Sequence, residues 1–254
     1  MKKQIPNIIT LLNLLSGVIA VMFAANNDLV TAAIFVLLGI FFDFFDGLVA
    51  RLLKVQSELG LQLDSLADVV TSGVVPGIVM FQLLLRSVNQ NSFEASFFDS
   101  ATMMTWVGFK FKTIQLVPFI GLLLTLAAAY RLAKFNLDKR QTTSFIGLPT
   151  PAMALFVLSL PIILAFSNIV SIINLISNSY FLIGITLFFS YLMNVELPLF
   201  SLKFKNFSLK NNSIELVFLL ISLVLIISFK FVSIPIIILM YIMLSILKNS
   251  VQKM

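Results

Sequence analysis

The sequence has no cysteine and no histidine, and only 11% of its 254 residues are charged. Without cysteine there are no disulfides, thiol nucleophiles or thiolate metal sites. Without histidine there is no imidazole base, and the usual zinc centres are excluded as well. A catalytic metal must therefore be held by oxygen ligands, which favours Mg²⁺, Mn²⁺ or Ca²⁺. A general base must be a carboxylate, a lysine or a tyrosine. The scarcity of charge is as informative, because a soluble domain carries about 25% charged residues. With 59% hydrophobic residues, this composition is that of a membrane protein.

Several apolar runs reach the roughly 20 residues needed to cross a bilayer. Backbone polar groups in lipid must be satisfied within the segment, and these runs are apolar on all sides, so helices are expected rather than strands. The pattern predicts an all-α polytopic protein with about eight spans, near 8–25, 29–53, 59–86, 114–136, 151–168, 178–199, 213–229 and 231–248. The last two are divided by a tight break near Lys230. Lys2 and Lys3 before an apolar run resemble a signal peptide, but the run is long and carries Pro6, Asn7 and Thr10, so it is expected to remain as the first span.

Basic residues orient this layout. One side receives 13 of the 17 Lys and Arg residues and the other receives Arg86, Lys110, Lys112 and Lys230. That asymmetry is expected to place both termini on the cytoplasmic side of the inner membrane, with the conspicuous carboxylates toward the same face. The net charge of +6 is read as orientation and contact with anionic membrane lipids. No basic tract interleaved with aromatics suggests a nucleic-acid partner. The link Ser87–Thr113, with Trp106, Lys110 and Lys112, reads as a non-catalytic loop with interfacial character. Residues 1–200 form one membrane domain, and 201–254 add a basic cytoplasmic link and two further helices.

The carboxylates lie in one stretch: Asp43-Phe-Phe-Asp46-Gly47-Leu-Val-Ala50-Arg51, eight residues, then Gly60-Leu-Gln-Leu-Asp64-Ser-Leu-Ala-Asp68. Each carboxylate at mid-membrane costs on the order of 2.5–3.5 kcal/mol, so the set would cost roughly 10 kcal/mol unpaired. Something cationic must neutralise it. At about 100° per residue, Asp43, Asp46, Gly47 and Ala50 share one helix face with Arg51 at its margin. Gly60, Asp64 and Asp68 form a stripe along the next helix. The short link folds the helices antiparallel, so two carboxylates face two. Like charges at that range cannot all ionise alone, and one or two divalent cations would resolve the conflict and leave positions open for phosphate oxygens. Gly47 and Ala50 clear space for a ligand, and Arg51 offers a planar fork for a phosphate. Each also has a plainer reading: Gly60 as a packing contact, Arg51 as a snorkelling side chain, and the carboxylates as an ion path in a divalent-cation transporter.

The whole stretch resembles the signature of the CDP-alcohol phosphatidyltransferase family, D-x2-D-G-x2-A-R-x8-G-x3-D-x3-D, at every fixed position from Asp43 to Asp68. The resemblance implies a core of about six membrane helices around a polar cavity, with the last two helices as an addition. It implies a two-metal centre, Mg²⁺ or Mn²⁺, on Asp43, Asp46, Asp64 and Asp68, with Asp68 also the base that takes the alcohol proton. Gly47, Ala50 and Arg51 match positions that accommodate the CDP portion of the lipid donor. The family resemblance also leaves room for a homodimer.

Segments outside the signature bear on the acceptor. The opening Ile5-Pro6-Asn7-Ile-Ile-Thr10-Leu-Leu-Asn13-Leu-Leu-Ser16-Gly17 resembles that of the bacterial phosphatidylserine synthases in the family. So do Leu63–Asp68, Tyr130-Arg131-Leu-Ala-Lys134-Phe135-Asn136 and Gly147-Leu148-Pro149-Thr150-Pro151-Ala152. CDP-diacylglycerol and L-serine are the substrates this implies. Departures are Thr71-Ser72-Gly73 after Asp68, and Asn194 and Glu196 where small or neutral residues are expected. The serine carboxylate needs a cation, and Arg131 and Lys134 are the candidates, with Asn136 adding a hydrogen bond; as positive flankers of a span both cations also have an ordinary explanation. Asn7, Thr10 and Gly60 are candidates for the CDP-lipid, although Asn7 and Thr10 could equally cap the first helix. Pro149 and Pro151 are expected to shape the start of the fifth helix. Glycerol 3-phosphate or an inositol phosphate is the alternative acceptor within the family.

Overall fold

The structure is a computed structural model that describes residues 4–89, 103–106, 109–112, 116–137, 145–199 and 213–252. It is an all-α polytopic bundle with two small two-stranded ladders. In chain order the helices are α1 (Ile5–Ala25), α2 (Leu29–Leu52), α3 (Glu58–Asp68), α4 (Val75–Val88), α5 (Leu123–Leu137), α6 (Thr150–Phe166), α7 (Val170–Ile176), α8 (Ser179–Asn194), α9 (Ser213–Phe229) and α10 (Ser233–Gln252). The strands β1 (Met103–Trp106) and β2 (Phe109–Lys112) pair antiparallel, as do β3 (Phe145–Ile146) and β4 (Pro198–Leu199).

Five helical stretches are long and apolar enough to cross a membrane, and a sixth if the bent pair α7–α8 is one span. The third of these runs unbroken from Glu58 to Val88 and is the hub: 72% of its most apolar window is buried, against 17–33% for the others. α3 and α4 are joined by a π-helical turn, Val69–Val74, that starts directly after Asp68. Such turns occur mostly as local insertions within α-helices, often beside functional groups.

The outer helices carry the opposite pattern. Leu220, Leu223, Val224 and Ile227 of α9 are more than half exposed. An apolar surface of this extent in water would be an aggregation site, and in a bilayer it is the lipid face. α9 and α10 together form the apolar stretch Leu216–Lys248. In one straight helix Phe218 and Tyr241 would stand about 35 Å apart at 1.5 Å per residue. Their ring centroids are 5.9 Å apart, so the stretch is a hairpin. The fold-back occurs where Lys230 takes φ 49° and Ser233 Oγ donates to its carbonyl.

Three sequence expectations need correction. The segment 178–199 does not run as one helix: α8 starts at Ser179, where the Asn178 side chain accepts from Tyr180 N at 2.8 Å, and α7 precedes it at a 66° bend. It ends at Asn194 because Pro198–Leu199 pairs in register with Phe145–Ile146. The helix expected from 114 begins at Val117 as a tighter 3₁₀ turn through Leu122 before α5. The link 87–113 contains the hairpin β1–β2, and the interfacial role read for Trp106, Lys110 and Lys112 concerns side chains outside the described residues. The basic link Lys203–Asn212 also lies outside them. Pro149 precedes α6 as its N-cap residue and Pro151 occupies its first turn, as expected.

Gly121 marks where the 3₁₀ turn presses on α4: a Cβ there would stand 2.6 Å from Phe81 N and 2.9 Å from Met80 C, both backbone atoms. Gly184, inside α8, has nothing within 4 Å. Gly121→Ala should therefore destabilise the protein by about 1–3 kcal/mol through overpacking. Gly184→Ala should be neutral or stabilising by up to about 1 kcal/mol through helix propensity. Thermal unfolding of both variants in detergent distinguishes the two; equal behaviour would contradict this packing.

Candidate active site

The signature residues are set in place by the reversal between α2 and α3. Lys54 takes φ 54°, and Val55 N donates to Ala50 O at 3.0 Å, closing the C-terminus of α2. Ser57 then caps α3, its hydroxyl accepting from Gly60 N at 3.1 Å. α1 packs along both α2 and α3, so side chains of all three helices meet at this end of the bundle.

Asp43 of α2 meets Asp64 and Asp68 of α3. Each of the three offers a carboxylate oxygen, and these oxygens all lie within 4.8 Å of one another. Oxygens 2.0–2.6 Å from a common cation are separated by up to about 4–5 Å, so the spacing fits a Mg²⁺- or Ca²⁺-sized ion. Asp64 Oδ1 is buried and has no hydrogen-bond partner, as a ligand atom awaiting a cation would be. Two unit charges about 4 Å apart near a protein surface repel by about 4 kcal/mol. Three such groups side by side cannot all stay ionised without a neutralising partner. A divalent cation on all-oxygen ligands meets that need, and the donor set excludes thiophilic metals.

Asp46 stands apart from these three. It is buried, and Thr10 Oγ donates to its Oδ2 at 2.5 Å. The expected two-against-two arrangement is therefore three plus one. Thr10 does not cap α1: the N-cap is Gln4, without a side-chain bond, and Pro6 sits in the first turn.

Beside the cluster lies a cavity of about 540 Å³. Every residue read as a CDP-lipid contact lines it: Asn7, Thr10, Gly47, Ala50, Arg51 and Gly60. Asp46 and Asp64 line it too, so Asp64 belongs both to the cavity and to the cluster. Arg51 is exposed, its Nε donating to Gly47 O at 2.8 Å, which steadies the guanidinium at the cavity wall. A Cβ on Gly47 would meet only Arg51 Nη2 at 3.9 Å, so packing does not demand glycine here; a larger side chain would instead occupy the cavity. Gly60 differs, since a Cβ there would approach Asn7 Oδ1 and Ser57 Oγ to 3.2 Å each; its smallness lets α1 close on α3. Gln56, Ser57 and Glu58 also line the cavity and were not picked out from the sequence. Their position in the eight-residue gap of the signature is the signal that could have found them.

The residues read as an acceptor site lie on α5 and divide. Arg131 is buried, its charge reaches Asp68, and its Nε has no hydrogen-bond partner. Asn136 Nδ2 donates to Ser65 Oγ at 2.9 Å, next to Asp64, and Asn136 Oδ1 is buried without a partner. Lys134 instead engages Glu196, Nζ to Oε1 at 3.5 Å. Glu196 and Asn194, two departures from the expected pattern, thus tie the end of α8 to α5: Asn194 Nδ2 donates to Ala127 O at 3.2 Å. Two residues not read as site residues, Asn13 and Thr71, join the cluster: Asn13 Nδ2 donates to Asp68 Oδ1 at 3.3 Å, and Thr71 Oγ donates to Asn13 Oδ1 at 2.8 Å. Polar residues at buried positions of otherwise apolar helices were the available signal.

A polytopic membrane protein with a cluster of carboxylates that could hold a cation, set beside a cavity, is the class these features define. The family model for CDP-alcohol phosphatidyltransferases matches residues 3–195, and this chain belongs to that family. Among curated relatives, a Bacillus subtilis protein named CDP-diacylglycerol–serine O-phosphatidyltransferase is 33% identical over 170 residues, 63% of this chain and 80% of the relative. Proteins of the same name from Helicobacter pylori strain J99 and Methanocaldococcus jannaschii are each 30% identical. They align over 60% and 59% of this chain, which spans only 54% and 57% of their lengths.

The geometry predicts divalent-cation binding without substrate. Titration of purified protein with Mn²⁺, followed by electron paramagnetic resonance, should show binding that Asp64→Asn weakens by more than about tenfold, the smaller loss typical even of outer-shell partners. Glu58→Gln, at the cavity wall, should leave the affinity within about twofold. Equal affinities in Asp64→Asn and wild type would remove Asp64 from the ligand set.

Proposed function

We propose that this protein transfers the phosphatidyl group of CDP-diacylglycerol to the hydroxyl of L-serine, giving phosphatidylserine and CMP. The observation that carries the reading is the cavity lined by Asn7, Thr10, Asp46, Gly47, Ala50, Arg51 and Gly60, which shares Asp64 with the three-carboxylate cluster. That juxtaposition suits a ligand with an organic part and a diphosphate. The names of the relatives favour serine as the acceptor.

In this reading Asp43, Asp64 and Asp68 hold one or two Mg²⁺ or Mn²⁺ ions, with Asp46 contributing from the cavity side. When bound, the cations neutralise the diphosphate and polarise the attacked phosphorus. Gly47 and Ala50 leave room for the nucleotide, and Arg51 pairs with a phosphate oxygen. Asn7 and Thr10 contribute hydrogen bonds from α1. The serine carboxylate docks on Arg131, with Asn136 and, less directly, Lys134 on the same helix. Asp68 takes the serine hydroxyl proton as the oxygen attacks the phosphorus that carries diacylglycerol. A new O–P bond forms, and the bond to the CMP oxygen breaks.

Three wider features complete the proposal. Residues 1–200 are the catalytic membrane domain, and the α9–α10 hairpin is an addition to it. The carboxylate end faces the cytoplasm of the inner membrane, where the excess of Lys and Arg lies and where CMP is released. A homodimer is compatible with the exposed apolar faces.

Purified protein should release CMP from CDP-diacylglycerol with Mn²⁺ and serine, and not with glycerol 3-phosphate or an inositol phosphate. Release with one of those instead would keep the reaction and change the acceptor. Asp68→Asn and Asp43→Asn should lower turnover by at least about 10²-fold, within the range for a lost acid–base group, while the protein stays folded. Arg131→Ala should raise the KM for serine and leave CDP-lipid binding intact. An unchanged KM for serine would remove Arg131 from the acceptor site.

A further inference from the structure

We infer that Asn13 and Thr71 are positioning residues that fix which oxygen of Asp68 faces the reacting groups; the inference rests on the transferase reading above. Both side chains are fully buried. The Thr71 hydroxyl has one proton and three oxygens in reach: Asn13 Oδ1 at 2.8 Å, Ala67 O at 3.1 Å and Asn13 O at 3.4 Å. The shortest of these engages the Asn13 amide oxygen and so determines the amide's orientation. Nδ2 then points at Asp68 Oδ1, 3.3 Å away. The opposite orientation would set the amide oxygen against the Asp68 carboxylate, oxygen to oxygen, in a site already crowded with negative charge.

The consequence for Asp68 is a division of labour between its two oxygens. Oδ1 accepts from a donor that cannot rotate away, because Thr71 holds the other end of the amide. Among the described residues no hydrogen bond is recorded to Oδ2. A side chain asked to bind a cation and to accept a proton needs its carboxylate plane fixed, since the useful lone pairs lie in that plane. The Asn13 bond supplies that restraint, and neither Asn13 nor Thr71 lines the cavity.

The surrounding backbone is arranged to permit this contact. Thr71 lies in the π turn that begins right after Asp68. A Cβ on Gly17 would stand 2.5 Å from Thr71 Oγ, and one on Gly39 would stand 2.6 Å from Thr71 Cγ2 and 2.9 Å from Asn13 Oδ1. α1 and α2 therefore close on Thr71 through two glycines, and three helices meet at one hydroxyl. A threonine serving only as packing would not need its hydroxyl aimed at an amide that itself donates to Asp68.

The test removes the hydroxyl and keeps the shape. In the full-length protein, Thr71→Val should lower kcat by about 10–100-fold with the KM for CDP-diacylglycerol within about twofold, and weaken Mn²⁺ binding in the absence of substrate by about tenfold or more. Thr71→Ser should restore both. If Thr71→Val does not fold, Thr71→Ala, which adds no bulk against Gly17, makes the same prediction. Wild-type Mn²⁺ affinity and kcat in a folded Thr71→Val or Thr71→Ala, with only the unfolding temperature lowered, would overturn the inference and make the contact purely structural. The two readings fail separately: absence of CMP release by the wild type with every alcohol would refute the transferase, whereas the Mn²⁺ comparison reads the Asp68 geometry without any substrate.

Discussion

The carboxylates of Asp43, Asp64 and Asp68 converge inside a bundle whose outer surface is apolar, and their mutual repulsion is the constraint that the rest of the site answers to. Ionised carboxylates this close in a poorly solvated place are not a stable arrangement by themselves. Among the described residues no lysine or arginine is in ion-pair contact with them, and Lys134 pairs with Glu196 instead. Arg131 contributes its field from α5 without closing to a salt bridge.

The neighbouring structure follows from that requirement. The α2–α3 reversal, with its left-handed Lys54 and the Ser57 cap, sets the height at which Asp43 meets Asp64. α1 then fills the space behind both helices. Its polar residues are spaced three apart: Asn7 faces the cavity, Thr10 holds Asp46, and Asn13 holds Asp68. One helix therefore serves the cavity and the carboxylate cluster in succession, and its small residues farther along, Gly17 and Ala20, let it lie close to its neighbours. The α9–α10 hairpin takes no part in this; it packs at the periphery through α10 and presents α9 to lipid.

Membership of the CDP-alcohol phosphatidyltransferase family sets a coarse chemistry, the handling of a CDP-linked alcohol, and the three carboxylates form a cluster that could hold a metal ion for it. The residues proposed for the acceptor lie elsewhere, on α5. There Arg131 is the buried cation beside the cluster, whereas Lys134 is turned to Glu196.

Much of this was legible in the sequence because its cause is local. The absence of histidine and cysteine, the apolar run lengths, and the spacing of Asp43, Asp46, Asp64 and Asp68 are consequences of composition and of 3.6 residues per turn. They led to an all-α membrane protein and to the carboxylates, while the family signature pointed to several of the residues that line the cavity. What only the tertiary structure decided depends on how helices cross. Asp46 falls outside the cluster because Thr10 of α1 lies against it. Asn13 and Thr71 meet under Asp68 because a π turn and two glycines bring three helices to one point. The break near Lys230 was legible in the sequence, but that α9 and α10 fold back so that Phe218 meets Tyr241 was not. In each case the deciding contact joins residues far apart in the chain, and helical periodicity says which face a side chain occupies but not what it will meet there.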